Sequence, residues 1–289
     1  MDGFEKQLQA VFPSVDMGRR AFVMTSLITG FTLATTRVEA QAIATDSNGL
    51  EAGEVKVRTA DGEMPAYRAM PASGGPFPTI LVVQEIFGVH EHIKDVCRRF
   101  AKLGYFAVAP ELYARQASAA ELSTLDGART AMGRVPDRQV MADLDATVAY
   151  AKGSGKGDTS RLGITGFCWG GRVVWQYAEH SPGLKAGVAW YGVLTGPTTP
   201  NRPNHPLDDV KDLKAPVLGL YGAADQSIPV DTVDRMRDAC KAAGRSCELI
   251  VYPDTPHGFH ADYRPSYRPE QAKDGWNRAV AWFKQHGVA

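Results

Sequence analysis

The sequence predicts an α/β protein in which helices cover both faces of a mostly parallel central sheet. From residue 79 onwards, short runs rich in β-branched residues alternate with segments of helical periodicity, which is typical of parallel strands joined by crossover helices. Before this alternation, two extended runs, 54–58 and 64–70, flank Asp61-Gly62 and predict an N-terminal β-hairpin. The chain has 289 residues, 44% of them hydrophobic, which is enough for one domain with a full core.

The strands and helices after the hairpin are predicted from residue composition and from the spacing of apolar residues. Apolar, β-branched runs predict strands, and apolar residues three or four positions apart predict helices that bury one face. Two ranges, 140–148 and 272–283, show this helical spacing most clearly. The predicted strands after the hairpin are Thr79–Val83, Leu162–Thr165, Pro216–Tyr221 and Glu248–Tyr252.

The most informative segment is GFCWGG at 166–171, which lies between a predicted strand and a predicted helix. A reactive residue with glycines on both sides, between a strand and a helix, is the layout of a nucleophile elbow, here with cysteine in place of serine. The N-terminal dipole of the following helix favours the thiolate form of Cys168. The alternative is that Cys168 is a small buried apolar residue, but the flanking glycines favour the catalytic interpretation.

A nucleophilic thiol needs a general base, and the base needs an orienting carboxylate. In elbow enzymes the chain order is nucleophile, acid, base. Asp225 and His257 each follow a predicted strand, and open parallel sheets place their sites at the carboxyl ends of strands. Taken alone, Asp225 is as readily a helix N-cap and His257 a loop histidine. Their order after Cys168 favours a catalytic triad.

A fourth candidate is Glu85, which follows the buried strand Thr79–Val83. Many serine hydrolases carry a glycine-rich oxyanion loop at this position instead. A carboxylate at the end of an apolar run is costly to bury without a partner. We therefore interpret Glu85 as a partner of the nucleophilic thiol.

Several short segments form a combination that is more specific than any one of them alone. They are Gln84-Glu85-Ile86-Phe87-Gly88-Val89, Leu112-Tyr113-Ala114-Arg115-Gln116, GFCWGG at 166–171, Trp190-Tyr191-Gly192, Asp225 and His257-Gly258-Phe259. With this combination the chain, from about Val55 to its C-terminus, resembles the dienelactone hydrolase family. The resemblance implies an α/β-hydrolase fold with a Cys168–His257–Asp225 triad.

The resemblance also implies roles for groups around the triad. Glu85 would hydrogen-bond the resting thiol and help to deprotonate it when substrate enters. The backbone N–H groups of Ile86 and Trp169 would form the oxyanion hole, which agrees with the donors expected beside a nucleophile elbow. The implied activity is hydrolysis of small lactones or esters through a thioester acyl-enzyme, without a cofactor.

The predicted pocket departs from the family pattern at the substrate carboxylate. Characterised family members bind this carboxylate with two arginines, one of them four residues after the catalytic histidine. That position is Ala261 here, and Arg264 is the candidate to replace it. Arg129 and Arg134 are candidates for the second arginine. The predicted pocket residues are Phe87, Tyr113, Arg115, Tyr191, Phe259 and Arg264.

Composition and motifs argue against several other functions. The formal net charge is zero, and no basic stripe indicates nucleic-acid binding. There is no dinucleotide fingerprint and no P-loop, and His90-Glu91-His92 lacks the i, i+4 spacing of zinc enzymes, so we predict no metal or cofactor. Two alternatives stay open: a general carboxylesterase or thioesterase, and a non-catalytic periplasmic protein that binds a small molecule.

Residues 1–42 form a separate segment. Arg-Arg at 19–20, followed by an uncharged stretch, resembles a twin-arginine export signal, and Ala-Gln-Ala at 40–42 is a cleavage pattern. We expect 43–289 to be the single mature domain, exported by the twin-arginine machinery to the periplasm or secreted, without a stable membrane span. The alternatives are an uncleaved anchor or a disordered tail, and Met17 is an alternative start.

The chain has four cysteines, and whether they form a disulfide depends on the cellular compartment. Cys168 is the predicted nucleophile, and Cys97 lies on the apolar face of a predicted helix. Cys240 and Cys247 flank a connection between a helix and a strand. In an oxidising compartment they can form a disulfide if their Cα atoms lie within ~7 Å.

Overall fold

The structure is a computed structural model that describes residues 42–289. The predicted signal segment lies outside the described residues, apart from Ala42. The strands are β1 (Leu50–Thr59), β2 (Gly62–Pro71), β3 (Phe77–Val83), β4 (Phe106–Pro110), β5 (Gly157–Phe167), β6 (Leu184–Trp190), β7 (Val217–Gly222) and β8 (Cys247–Tyr252). The helices are α1 (Glu91–Lys102), α2 (Ala119–Leu122), α3 (Leu125–Arg134), α4 (Asp137–Gly153), α5 (Trp169–His180), α6 (Val230–Ala242) and α7 (Pro269–Gln285), with a 3₁₀ turn at Val210–Asp212.

The strands of the described residues form one sheet in the order β1-β2-β4-β3-β5-β6-β7-β8. The pairs β1–β2 and β2–β4 are antiparallel, and every other neighbouring pair is parallel. Helices cover both faces of the sheet. The predicted α/β-hydrolase fold, with a mostly parallel sheet and an N-terminal β-hairpin, is confirmed.

The hairpin turn lies one residue earlier than its sequence suggests. Thr59 pairs with Gly62, so the two connecting residues are Ala60 and Asp61 rather than Asp61 and Gly62. Gly62 begins β2 with a φ of +130°, a backbone conformation that glycine adopts without steric cost. Both strands are longer than predicted, because their pairing continues to Leu50 and Pro71.

The core brings the last helix against the centre of the sheet. A Cβ on Gly163 of β5 would lie 2.8 Å from Ile80 of β3 and 2.9 Å from Phe283 of α7. Glycine at this position therefore allows the helix to pack closely on the sheet. In α4, Val140 and Leu144 are buried as their helical spacing predicts. The parallel strands β3, β5, β6, β7 and β8 consequently end at one edge, where the candidate side chains follow them.

Cys240 at the end of α6 and Cys247 at the start of β8 form a disulfide, with their Cα atoms 6.1 Å apart. The disulfide considered from the sequence is therefore present in the structure. Cys97 is a free, buried cysteine in α1. Among the described residues, no helix combines the length and the apolar character needed to cross a membrane.

Candidate active site

Cys168 lies at a sharp turn between β5 and α5. Its φ and ψ angles are +55° and −114°, a conformation that residues other than glycine rarely adopt and that is found mainly at functional sites. The residue is only 2% exposed. A strained residue between a strand and a helix is the geometry of a nucleophile elbow.

The glycines around this elbow are required by close contacts between backbones. A Cβ on Gly166 would lie 2.3 Å from the carbonyl oxygen of Gly170, and one on Gly170 would lie 2.5 Å from that of Gln84. A Cβ on Gly171 would lie 2.5 Å from the carbonyl oxygen of Trp190. Glycine thus lets α5 start directly against the ends of β3 and β6, and this packing holds the elbow in place.

Asp225 and His257 form a buried pair in the loops after β7 and β8. Nδ1 of His257 lies 2.6 Å from Oδ2 of Asp225. Oδ1 of Asp225 accepts hydrogen bonds from the backbone N–H and the hydroxyl of Ser227, at 2.9 and 2.6 Å, and from the N–H of Ile228 at 3.2 Å. Burial raises the pKa of Asp225, but the His257 charge and these hydrogen bonds outweigh burial and lower it. The carboxylate is therefore ionised and oriented.

His257 connects this pair to the nucleophile. Burial lowers its pKa, but the negative charges of Asp225 and of a Cys168 thiolate, together with the hydrogen bond to Asp225, raise the pKa to about 10. Since Nδ1 faces Asp225, Nε2 is the ring nitrogen left for Cys168. His257 thus lies against Asp225, and the charge of Cys168 acts on its ring, so the three predicted triad residues lie in one site.

Glu85 is completely buried beyond the end of β3. Its Oε2 accepts hydrogen bonds from the hydroxyl of Tyr263 at 2.5 Å and from Nη2 of Arg264 at 3.2 Å, and it lies 3.2 Å from Nε2 of His90. Burial raises the pKa of Glu85, but the Arg264 charge and the His90 hydrogen bond lower it far below its usual range. Glu85 is therefore a stabilised anion at neutral pH.

Two tyrosines lie within electrostatic reach of the nucleophile. Tyr113 and Tyr191 are fully buried, and neither hydroxyl has a hydrogen-bond partner among the described residues. Burial raises the pKa of both hydroxyls, and the charge of Cys168 contributes to each shift. The ring of Tyr113 lies 4.9 Å from that of Trp169, and the ring of Tyr191 lies 4.9 Å from that of His257. These hydroxyls are therefore hydrogen-bond donors that no group of the described residues uses.

The other predicted pocket residues occupy different surroundings. The ring of Phe87 lies under the guanidinium of Arg264 at 5.2 Å. The ring of Phe259 lies 5.3 Å from that of Tyr191. Arg115 forms an ion pair with Asp143 of α4 and a hydrogen bond to Thr59 of β1; the structure shows no contact between Arg115 and the triad among the described residues.

The predicted oxyanion donors lie on both sides of the elbow. Trp169 is the first residue of α5, so its N–H is one of the first-turn donors that have no acceptor within the helix. Ile86 is buried in the turn directly after Glu85. Gly88 closes this turn with a φ of +79°, where a Cβ would lie 2.9 Å from a carboxylate oxygen of Glu111.

The arginines are distributed differently from the family pattern. Ala261 is buried, Arg129 lies 3.8 Å from Asp126, and Arg134 bonds to Glu121 at 3.3 Å. Arg264, in contrast, is buried beside Glu85, and the charge of Cys168 helps to raise its pKa. Sequence analysis did not identify Arg202 as a site residue. Arg202 lies in the loop between β6 and β7, which contains four prolines at 197–206, and its charge acts on the Tyr113 hydroxyl.

The segment His90-Glu91-His92 does not assemble a metal site. His90 contacts Glu85, and Nδ1 of His92 lies 3.0 Å from Oδ1 of Asp262. Across residues 42–289, no group of three or more His, Cys, Asp or Glu side chains is arranged to hold a metal ion. Both histidines instead belong to the polar cluster around Glu85.

The fold and this site define an α/β-hydrolase with a cysteine at its nucleophile elbow. A family model described as "Dienelactone hydrolase family" matches residues 64–287. A protein of Methylorubrum extorquens is 62% identical over the full length of both chains, and one of Yersinia pestis is 52% identical over 89% of this chain and 97% of its own. Both carry the name "Putative carboxymethylenebutenolidase".

Among solved structures, a "Putative Dienelactone Hydrolase" from Klebsiella pneumoniae is 55% identical. It covers 82% of this chain and 99% of its own, with a TM-score of 0.79. The chain belongs to the dienelactone hydrolase family, and it is a hydrolase acting on lactone or ester bonds.

Proposed function

We propose that this protein hydrolyses small lactones or esters through a thioester formed on Cys168. The observation that carries the proposal is the position of His257, whose Nδ1 lies 2.6 Å from Oδ2 of Asp225 and whose pKa the charge of Cys168 helps to raise. A strained cysteine at an elbow, with a buried base and an ionised orienting acid, meets the requirements of nucleophilic catalysis.

In the first half-reaction, His257 takes the Cys168 proton, directly or through Glu85. The thiolate attacks the acyl carbon, and the N–H groups of Ile86 and Trp169 stabilise the oxyanion. When the tetrahedral intermediate collapses, the bond from carbon to the leaving oxygen breaks, and that oxygen takes the proton from His257. A thioester remains on Cys168.

In the second half-reaction, water attacks the thioester. His257, oriented by Asp225, accepts a proton from the water as the new carbon–oxygen bond forms. The carbon–sulfur bond then breaks, the Cys168 sulfur takes the proton back from His257, and the carboxylic acid leaves. When the substrate is a lactone, the leaving oxygen stays tethered to the acyl group, so water must attack faster than the ring closes again.

The pocket favours a substrate that carries a carboxylate. Arg264 is paired with Glu85, and its charge also interacts with Cys168, while the charge of Arg202 acts on Tyr113. The unpartnered hydroxyls of Tyr113 and Tyr191 add two hydrogen-bond donors. The name shared by the relatives refers to a lactone with a carboxymethylene group, which has this chemistry. A general carboxylesterase or thioesterase is the second candidate, since the catalytic groups alone do not select a lactone.

A comparison of substrates tests this proposal. We expect kcat/KM for a small lactone with a free carboxylate to exceed that for its methyl ester by ~10-fold or more, because an anion gains charge-assisted hydrogen bonds from arginine. Preference for the neutral ester would favour the general esterase. Absence of turnover across lactones, oxygen esters and thioesters would instead favour a binding protein on this scaffold.

We also propose that the protein is exported by the twin-arginine route and acts in the periplasm or outside the cell. The disulfide between Cys240 and Cys247 supports an oxidising compartment. We expect the intact mass of the exported protein to match a chain that begins at Ile43 and to increase on reduction by the mass of one disulfide's two hydrogens. An N-terminus upstream of Ile43, or a mass that reduction leaves unchanged, would contradict the proposal.

A further inference from the structure

The turn that carries Ile86, one of the two proposed oxyanion donors, follows β3 in the middle of the sheet. Strand β3 pairs with β5 on one side and with β4 on the other, so the turn lies between the elbow that follows β5 and the segment 111–113 that follows β4. Glu85 and Gly88 pair with each other across Ile86 and Phe87. The position of the Ile86 N–H therefore depends on what holds the two ends of this four-residue turn.

The segment after β4 holds both ends of the turn. Beyond the far end, the backbone N–H of Val89 donates a hydrogen bond to Oε2 of Glu111 at 2.7 Å. Before the near end, the backbone N–H of Leu112 donates to Oε1 of the buried Gln84 at 3.1 Å. The N–H of Glu111 itself donates to the carbonyl oxygen of Pro65 in β2 at 2.8 Å. The sheet thus fixes the segment, and the segment fixes the turn.

The same segment contacts the other proposed oxyanion donor. The ring of Tyr113 lies 4.9 Å from the ring of Trp169, and both side chains are buried. Trp169 directly follows the nucleophile at the start of α5. Glu111 and Tyr113 are two positions apart, so one short stretch of chain contacts the neighbourhood of both donors and sets the distance between them.

The Glu111 carboxylate is in closer contact with the turn than a longer backbone substituent would allow. Gly88 has a φ of +79°, and a Cβ on it would lie 2.9 and 3.0 Å from the two carboxylate oxygens of Glu111. Burial raises the pKa of Glu111, and the hydrogen bond from Val89 only partly offsets this effect. A carboxyl group that is costly to bury, next to the site, is typical of residues retained for function rather than for stability.

We propose that Glu111 is a positioning residue that fixes the Ile86 N–H in the oxyanion hole by holding the turn at Val89. The inference rests on the proposed function, in which this N–H stabilises the oxyanion. Glu111 acts through the turn and does not touch the reacting atoms. Its effect on the rate is large because a donor must lie ~2.7–3.1 Å from the oxyanion, and a misplacement of ~1 Å costs ~10²-fold in rate.

Steady-state hydrolysis of a chromogenic ester by two variants of Glu111 tests the inference. We expect Glu111→Ala to lower kcat by ~10- to 100-fold with KM within ~2-fold of wild type, because oxyanion donors act on the transition state. Glu111→Gln keeps an oxygen that accepts the Val89 N–H, so its kcat should stay within ~3-fold of wild type. A loss in Glu111→Gln as large as that in Glu111→Ala would overturn the inference.

Glu121→Ala is the matched control. The Glu121 carboxylate also accepts a backbone N–H, that of Ser118 at 2.8 Å, but it does so at the exposed N-terminus of α2. We expect its kcat to match that of the wild type, because the turn at Ile86 keeps its contact with Glu111. An equal loss in Glu121→Ala would show that the effect does not come from the oxyanion hole.

A trifluoromethyl ketone separates positioning from a merely structural role. The Cys168 thiolate adds to its carbonyl carbon, a carbon–sulfur bond forms, and the carbonyl oxygen becomes an oxyanion without loss of any group. We expect Glu111→Ala to raise the inhibition constant of this ketone by ~10-fold or more, whereas the dissociation constant of the product carboxylate should change by less than ~2-fold. Equal weakening of both ligands would indicate a general disruption of the pocket and would overturn the inference.

Hydrogen exchange of the amides at 85–89 needs no turnover, so the proposed function and this inference can fail separately. We expect exchange there to be several-fold faster in Glu111→Ala, but not in Glu121→Ala, because the hydrogen bond that holds the turn is lost. This faster exchange without any Cys168-dependent hydrolysis by the wild type would refute the function alone. Normal hydrolysis by the wild type, with exchange and ketone affinity unchanged in Glu111→Ala, would refute the inference alone.

Discussion

Replacing Cys168 with alanine is expected to reduce kcat for a lactone or ester by ~10⁴-fold or more, because removal of the nucleophile from a coupled triad eliminates covalent catalysis. Binding of a substrate-like carboxylate should change little, since the arginines and tyrosines of the pocket remain. The measurement is steady-state hydrolysis of a chromogenic ester and a lactone. Mass spectrometry of the wild type, quenched during turnover, should show the acyl group on the peptide that contains Cys168.

Cys97→Ala is the control for this variant. Cys97 is also free and buried, but it lies in α1, so its replacement removes a thiol and leaves the site intact. We expect kcat within about 2-fold of wild type, because a small cavity in the core affects stability before activity. Retention of activity in Cys168→Ala, with folding confirmed by circular dichroism, would reject thioester chemistry.

The elbow and the pairing of Asp225 with His257 could be predicted from the sequence, because both depend on local patterns. The turn that carries Cys168 is encoded by the glycines at 166, 170 and 171, and each is required by a specific backbone contact. Asp225 and His257 follow strands of a parallel sheet, so topology alone brings them to the same edge. The fold was predictable for the same reason, since strands and helices alternate along the chain.

Features that depend on packing between distant parts of the chain could not be predicted from the sequence. Tyr263 lies 178 positions from Glu85 in the chain, yet its hydroxyl donates a hydrogen bond of 2.5 Å to that carboxylate. Arg115 lies within a family-like motif, but the structure pairs it with Asp143 of α4. Ser227, which orients Asp225, resembles an ordinary loop serine in the sequence. No periodicity or spacing identifies such pairs before the chain is folded.

The electrostatics of the triad depend on the balance between burial and neighbouring charge. Burial alone lowers the pKa of His257, whereas the charges of Asp225 and Cys168 raise it to about 10. In the proposed mechanism hydrolysis needs a protonated His257, because the leaving oxygen takes its proton. Once Cys168 is a thiolate, the pKa of His257 is about 10 and the proton taken from the thiol stays on His257, so the basic limb of kcat/KM should lie far above the ordinary range of histidine.

Asp225→Asn is therefore expected to lower kcat by ~10⁴-fold, a loss typical of replacing the orienting carboxylate of a triad. Without the negative charge, burial dominates and the pKa of His257 falls, so the basic limb of the profile of kcat/KM against pH moves to lower pH. Ser227 and Ile228 can still donate to the amide oxygen of the substituted side chain, so the loop should keep its conformation.

Asp254→Asn is the matched control for this effect. Asp254 is exposed in the loop after β8, three residues before His257, and has a φ of +50° that asparagine also tolerates. We expect its pH profile to match that of the wild type. An unchanged basic limb in Asp225→Asn would show that Asp225 does not set the protonation of His257. The high pKa would then have to come from Cys168 alone, and the acid of the proposed triad would need to be sought elsewhere in the site.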